Sequence, residues 1–167
     1  MEIPERFLWV DTLMNIRPDD KILEVGCGVG FNVAAMSSKV GKGKVIALDK
    51  SPAMLEKASQ RNAIGIQSGK CSFILTDLLS YEPKGTRFDK VLCFNVNFFW
   101  TKRSDQEVKK IKSLLKKQGI LYIAYGPLIQ DYNRLEVSIN GSVNREGMTI
   151  INTAFSEELN CCCFICR

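Results

Sequence analysis

The sequence predicts an α/β domain built on a mainly parallel sheet with helices on both faces. Three observations predict it. Short apolar runs rich in Val, Ile and Leu alternate with segments of helical periodicity through most of the chain. The first run ends in a glycine turn, Gly26-Cys27-Gly28-Val29-Gly30. The second ends in a carboxylate, Asp49. In an open parallel sheet, a glycine turn after one strand and an acid after the next stand together at the crevice where ligands bind.

Residues 7–16 place apolar side chains at helical spacing until Pro18-Asp19-Asp20 stops them, so residues 1–18 read as a lead-in helical segment. Residues 21–25 form the first strand. A helix from about 31 to 40 follows the turn, with Val33, Ala34 and Met36 available for packing. Gly41 and Gly43 bracket a turn into the second strand, residues 44–49. Ser51 is an N-cap with Pro52 at the first helical position, and that helix runs to about residue 64.

Residues 71–77 are the third strand and 88–95 the fourth. A helix over 105–117 is expected to stop at Gly119, and 120–125 is the fifth strand. Past Gly126-Pro127, residues 128–143 read as a helix despite Asn140-Gly141. Residues 149–155 and 161–166 read as closing strands. The link between them is too short for a crossover helix, so they must pair antiparallel as a hairpin. With no repeat and no low-complexity linker, residues 1–167 are expected to be one domain.

Composition narrows the chemistry. The chain has no histidine, which excludes imidazole acid/base catalysis, His triads and His-ligated metals. Seven cysteines, an odd number, fit a reducing compartment better than a disulfide scaffold. Cys163 and Cys166 have CxxC spacing but no second pair, so the Cys161-Cys162-Cys163 run reads as part of a buried strand and no metal site is assigned. No apolar run reaches membrane-spanning length and no secretory leader is visible, so the expected location is cytoplasmic. The charge of +5 is spread out, and its densest cluster, Lys109, Lys110, Lys112, Lys116 and Lys117, reads as a solvated helix face before it reads as an RNA footprint.

The turn discriminates among cofactors. Phe31 occupies the place of the last glycine in the dinucleotide fingerprint, and no Gly-Lys-Ser/Thr follows as in a phosphate loop. Glu24 beside the turn disfavours phosphate and favours an ammonium or sulfonium group. Asp49 is placed to accept both hydroxyls of a ribose. Asp77 is placed to accept from an adenine amino group, with Leu78 flanking the ring and Met54 on its other face. These residues describe a site for an adenosine-containing cofactor without pyrophosphate.

The stretches ILEVGCGVGFNVAAM, VIALDKSPAMLEKA, FILTDLL, FDKVLCFNVNFFW and LLKKQGILYIAYGP occur in that order and spacing. In this the chain resembles the class I S-adenosylmethionine-dependent methyltransferases. The resemblance implies a Rossmann-like sheet of seven strands in the order 3-2-1-4-5-7-6, with strand seven antiparallel. It implies S-adenosyl-L-methionine as cofactor. Gly26, Cys27, Gly28 and Gly30 would approach its methionine part, with Glu24 near the amino group. Asp49 and Lys50 would meet the ribose side, and Met54, Asp77 and Leu78 the adenine. Asn95 would lie against the methionine part near the methyl group.

Methyl transfer from a sulfonium is an in-line displacement, so orientation and desolvation carry most of the catalysis. Asn95, Asn97 and Tyr125 are the candidate catalytic residues on the acceptor side, with Phe98, Phe99 and Trp100 shaping an apolar wall. Asn95-Val96-Asn97-Phe98 lacks both prolines of the Asn/Asp-Pro-Pro-Tyr/Phe signature found in amino-group methyltransferases acting on nucleic-acid bases or protein glutamine. The expected acceptor is therefore a small molecule, with a lid borrowed from a second copy in a homodimer as an option. RNA methylation is the alternative, and a non-catalytic binding module of the same fold is the third.

Overall fold

The computed structural model describes residues 2–101, 104–127 and 131–167. Its strands are β1 Lys21–Val25, β2 Lys44–Asp49, β3 Cys71–Leu75, β4 Phe88–Phe94, β5 Leu115–Tyr125, β6 Ile150–Ser156 and β7 Cys161–Cys166. They form one sheet in the order β3-β2-β1-β4-β5-β7-β6. The first five run parallel, while β7 pairs antiparallel with both β5 and β6. The hairpin expected from the short 156–160 link is thus present, and so is the strand order implied by the family resemblance.

The helices are α1 Glu5–Met14, α2 Phe31–Lys39, α3 Pro52–Arg61, α4 Ala63–Gln67, α5 Phe98–Thr101, α6 Asp105–Leu114 and α7 Tyr132–Arg145. They divide the core in two. On one face Leu23, Val91, Ile123 and Phe164 pack under Val108 and Ile111 of α6 and Leu135 and Ile139 of α7. On the other, Ile22, Val45, Leu92 and Tyr122 pack under Val10 and Met14 of α1 and Val33 and Met36 of α2. All these side chains are essentially buried. Each large apolar residue so buried stabilises the fold by about 1.5–3 kcal/mol relative to exposure. Strand parity thus sends neighbouring residues of β1 to opposite faces.

Several boundaries differ from expectation. The helix from Ser51 breaks at Asn62, whose side chain donates to the Ala58 carbonyl at 2.9 Å and the Gly30 carbonyl at 3.0 Å, and a separate turn, α4, follows. The helix starting at Asp105 ends at Leu114, not at 117. Leu115 pairs with Phe88 of β4 instead, with a register irregularity between Phe88 and Lys90. Gly119 is therefore inside β5, and a Cβ there would lie 2.9 Å from the Phe88 carbonyl oxygen, so it permits close strand approach and does not stop the helix. The last helix begins at Tyr132, where the Asp131 carboxylate accepts from the Arg134 N–H at 2.9 Å. It passes through Asn140-Gly141, and residues 128–130 of the expected helix lie outside the described residues.

Among the described residues, no helix is long and apolar enough to cross a membrane, and all seven cysteines are free thiols.

Candidate functional site

The strand order 2-1-4 places a topological switch point beside β1, where connections leave in opposite directions and the strand ends open into a crevice. The turn after β1 is fastened there. Gly26 and Cys27 both donate N–H groups to the Leu48 carbonyl, at 2.8 and 2.9 Å. Gly30, at φ +76°, is where α2 meets α3: a Cβ would stand 2.9 Å from the Ala58 Cβ and 2.8 Å from the Asn62 amide. Gly28, at φ +53°, is the opposite case, with nothing within 4 Å of where its Cβ would be. One glycine closes a helix contact; the other leaves an open approach to backbone.

A cleft of about 660 Å³ opens alongside, a size ordinary for small ligands. Of the residues expected at the site, Gly26, Asp49, Lys50, Asp77, Leu78, Asn95 and Asn97 line it. Asp49 is half-buried, and the turn organises it: Oδ2 accepts from the Gly28 N–H at 2.8 Å and Oδ1 from the Ser51 N–H at 2.9 Å. Each oxygen keeps further acceptor capacity. Asp77, at the end of the β3 segment, is exposed and accepts from the Ser80 N–H at 2.8 Å and the Ser80 hydroxyl at 3.0 Å. Those bonds hold its pKa below the usual carboxylate value.

Other expected residues lie elsewhere. Glu24 does not line the cleft. Strand parity turns it toward α2, where it is 1% exposed and accepts from the Asn32 amide at 2.8 Å. Burial pushes its pKa up to about 8, against the lowering effect of the Asn32 bond. Its Oε2 and the Asn32 Oδ1 are both buried without a hydrogen-bond partner. Cys27 is buried in the turn, and burial raises its thiol pKa. Met54 is on the surface of α3 and outside the cleft wall.

On the acceptor side, the structure uses two of the three candidates as fasteners. The Asn95 amide bridges β4 to β5, donating to the Gly126 carbonyl at 2.7 Å and accepting from the Gly126 N–H at 3.0 Å. Tyr125 is in the core, its hydroxyl donating to the Val96 carbonyl and its pKa raised by burial. Asn97 is exposed at the cleft rim, and Phe98 forms part of the wall while tilted against the buried Phe99 at 4.6 Å. The Trp100 side chain lies outside the described residues.

Two features were not anticipated. Phe31, which replaces the last fingerprint glycine, stacks on Phe7 of α1 at 5.1 Å and takes the Arg61 guanidinium over its ring at 3.9 Å, tying the lead-in helix to the turn. Glu107 is 5% exposed and lines the cleft. The sequence carried a signal for it: Glu107, Ile111 and Leu114 share one face at i, i+4 and i+7, so an acid stands on the apolar stripe of α6.

The donor set fits an adenosyl group. A carboxylate with spare acceptor sites suits a sugar diol, and Leu48, Leu78 and Val96 give apolar wall for a base. Gly28 and Gly30 do not line the cleft; Gly28 adjoins it through its N–H bond to Asp49 and has open space where a Cβ would stand. Among the described residues, no three metal-ligating side chains converge.

Residues 22–119 match the family model for a methyltransferase domain. A malonyl-[acyl-carrier protein] O-methyltransferase from Paenibacillus sp. (strain JDR-2) is 27% identical over 149 residues, covering 84% of this chain and 53% of that protein. The chain spans about half the length of the curated relatives it matches. Among solved structures, the mitomycin 7-O-methyltransferase MmcR superposes with a TM-score of 0.79 at 14% identity, over 98% of this chain and 53% of that one. Magnesium protoporphyrin IX methyltransferase from Synechocystis PCC 6803, solved with bound SAM, gives 0.71 at 19% identity, over 96% and 74%.

Proposed function

Since the chain belongs to the class I S-adenosylmethionine-dependent methyltransferase family, we propose that its cleft binds S-adenosyl-L-methionine and delivers the methyl group to a small-molecule acceptor. The observation that carries the reading is Asp49, held by the amides of Gly28 and Ser51 with acceptor sites to spare for two sugar hydroxyls. When bound, the cofactor supplies an electrophilic methyl carbon and its own thioether leaving group.

The chain's residues then orient and exclude water. Asp49 fixes the sugar, and the apolar wall of Leu48, Leu78 and Val96 seats the base. Asn95 and Tyr125 pin the ends of β4 and β5 to each other, so the acceptor wall keeps its place relative to the turn. They act as positioning residues. Asn97 and Phe98 face the acceptor, one offering an amide and the other an apolar surface.

A small acceptor is supported by the absence of both signature prolines between Asn95 and Phe98. It is also supported by the use made of lysines on α6 and at the start of β5. Lys112 donates to the Glu146 and Gly147 carbonyls, Lys116 pairs with Asp89 at 2.7 Å, and Lys110 approaches Glu82 at 3.6 Å. These cations serve the fold more than a polyanion. Incubating the protein with methyl-labelled S-adenosylmethionine and either pooled small metabolites or total RNA separates the readings. Label is expected in the small-molecule pool, and label in RNA overturns the acceptor class.

For the cofactor, Asp49→Ala is expected to weaken S-adenosylhomocysteine binding by about 1–3 kcal/mol, the worth of charge-assisted hydrogen bonds. Calorimetric titration reads this as a loss of about 5- to 150-fold in affinity. Unchanged affinity rejects the ribose assignment.

A further inference from the structure

We propose that the outer edge of β3 pairs antiparallel with β3 of a second copy of this chain, joining the two sheets about a two-fold axis. β3 ends the sheet and pairs only with β2. The Lys70 carbonyl accepts from the Val45 N–H at 2.8 Å, and the Thr76 N–H donates to the Asp49 carbonyl at 3.0 Å. Alternate residues of a parallel strand address the same neighbour, so even-numbered positions from 70 to 76 face β2. Phe73 and Leu75 therefore turn their N–H and C=O groups to the outer side. No other element among the described residues bonds to them.

Sheet edges are ordinarily blunted by a charge, a proline, a bulge or a covering segment. Cys71-Ser72-Phe73-Ile74-Leu75 has no charge and no proline, and its register with β2 is unbroken. Leu75 is 57% exposed, and Phe73 and Ile74 are half-buried. The opposite edge, β6, carries a register irregularity between Ile150 and Asn152, which bends it away from flat pairing.

Charge selects the occupant. Lys70 precedes β3 and Asp77 stands just past it. Among the described residues, Lys70 has no carboxylate partner. Antiparallel self-pairing sets the Lys70 end of each strand against the Asp77 end of the other, whereas a parallel arrangement sets like charge against like. An axis through Ile74 puts Phe73 opposite Leu75 of the partner subunit, and Leu75 opposite Phe73 of the partner subunit. Both pairs are apolar, share one face and exchange their outward main-chain bonds. Residues 76–80, which follow β3, line the cleft, so the seam adjoins the site.

Analytical ultracentrifugation of the full chain is expected to show a dimer that dissociates on dilution. Amide hydrogen exchange at Phe73 and Leu75 is expected to slow as concentration rises, while exchange at Ile74, whose N–H faces β2, stays unchanged. Leu75→Pro removes an outward N–H without touching the β2 ladder and is expected to give a monomer. Lys70→Glu sets like charges at both ends of the seam and is expected to weaken the dimer by about tenfold. Adding Asp77→Lys to Lys70→Glu is expected to restore it, and this charge swap decides the matter even if the proline variant fails to fold. Phe155→Lys, on β6, is expected to leave the dimer intact. A chain that stays monomeric at every concentration overturns the proposal and leaves the edge to an extended segment of another protein. A dimer that survives Leu75→Pro, is lost in Phe155→Lys or is not rescued by the charge swap overturns it as well.

Discussion

Glu24→Gln is expected to flatten the dependence of stability on pH between about 4.5 and 8. In the folded chain, burial pushes the Glu24 pKa from 4.5 up to about 8. Across that window the folded state holds a proton that the unfolded chain has released, so stability falls as pH rises. The slope is up to about 1.4 kcal/mol per pH unit, and the accumulated loss reaches roughly 3–5 kcal/mol before levelling above pH 8. Geometry supports the protonated form. Glu24 Oε2 and Asn32 Oδ1 are two buried acceptors without donors, and a proton on the carboxyl converts one of them into a donor. The glutamine variant has no such titration and retains an acceptor for the Asn32 amide. Urea denaturation from pH 5 to 8 checks this by the difference between the two proteins, since other groups titrate equally in both. A wild-type stability that tracks the variant at every pH contradicts the buried proton.

The second large effect separates two glycines of the same turn. Gly30→Ala is expected to destabilise the fold by about 2–5 kcal/mol, combining a left-handed backbone penalty with overpacking against Ala58 and Asn62. The Ala58 Cα, at 3.2 Å from the added carbon, is backbone and cannot rotate away. Gly28→Ala meets no neighbour, so only the backbone penalty of about 1–2 kcal/mol applies. Its methyl group enters the space left open to a ligand, and its expected signature is lost S-adenosylhomocysteine affinity in a chain that still melts cooperatively. Thermal melts and titrations of both variants check the pair. A Gly28→Ala protein with wild-type affinity places the cofactor away from the turn.

Much of the fold was legible because its central strands are continuous apolar runs bounded by glycine or polar turns, and because a five-residue link can only close a hairpin. The end of the helix from Asp105 was not. Lys116-Lys117-Gln118 suits an exposed helix turn and an exposed strand entry equally, and the choice is made by pairing with Phe88 far away in the chain.

The site was legible in part for a related reason. Asp77 and Asn95 stand just past the ends of β3 and β4, in the loops that open on the crevice. Glu24 lies within β1, and Asp49 and Tyr125 are the last residues of β2 and β5, where orientation depends on which face each position takes. Helices cover both faces of this sheet, so apolar residues occupy both parities and the pattern does not distinguish them. Glu24 thus went to the α2 side with Ile22, and Tyr125 to the α6 side with Ile123. Glu107 is harder to single out, because an acid in the first turn of a helix is ordinary on electrostatic grounds.

The central claim, that an adenosyl group spans the tips of β1 and β2 with its sugar on Asp49, is tested most directly by a crystal structure grown with excess S-adenosylhomocysteine. The account predicts both ribose hydroxyls within hydrogen-bonding distance of the Asp49 carboxylate, with the Gly28 and Ser51 bonds to it intact. A ligand bound with its ribose away from Asp49, or a cleft that stays empty under saturating ligand, contradicts it.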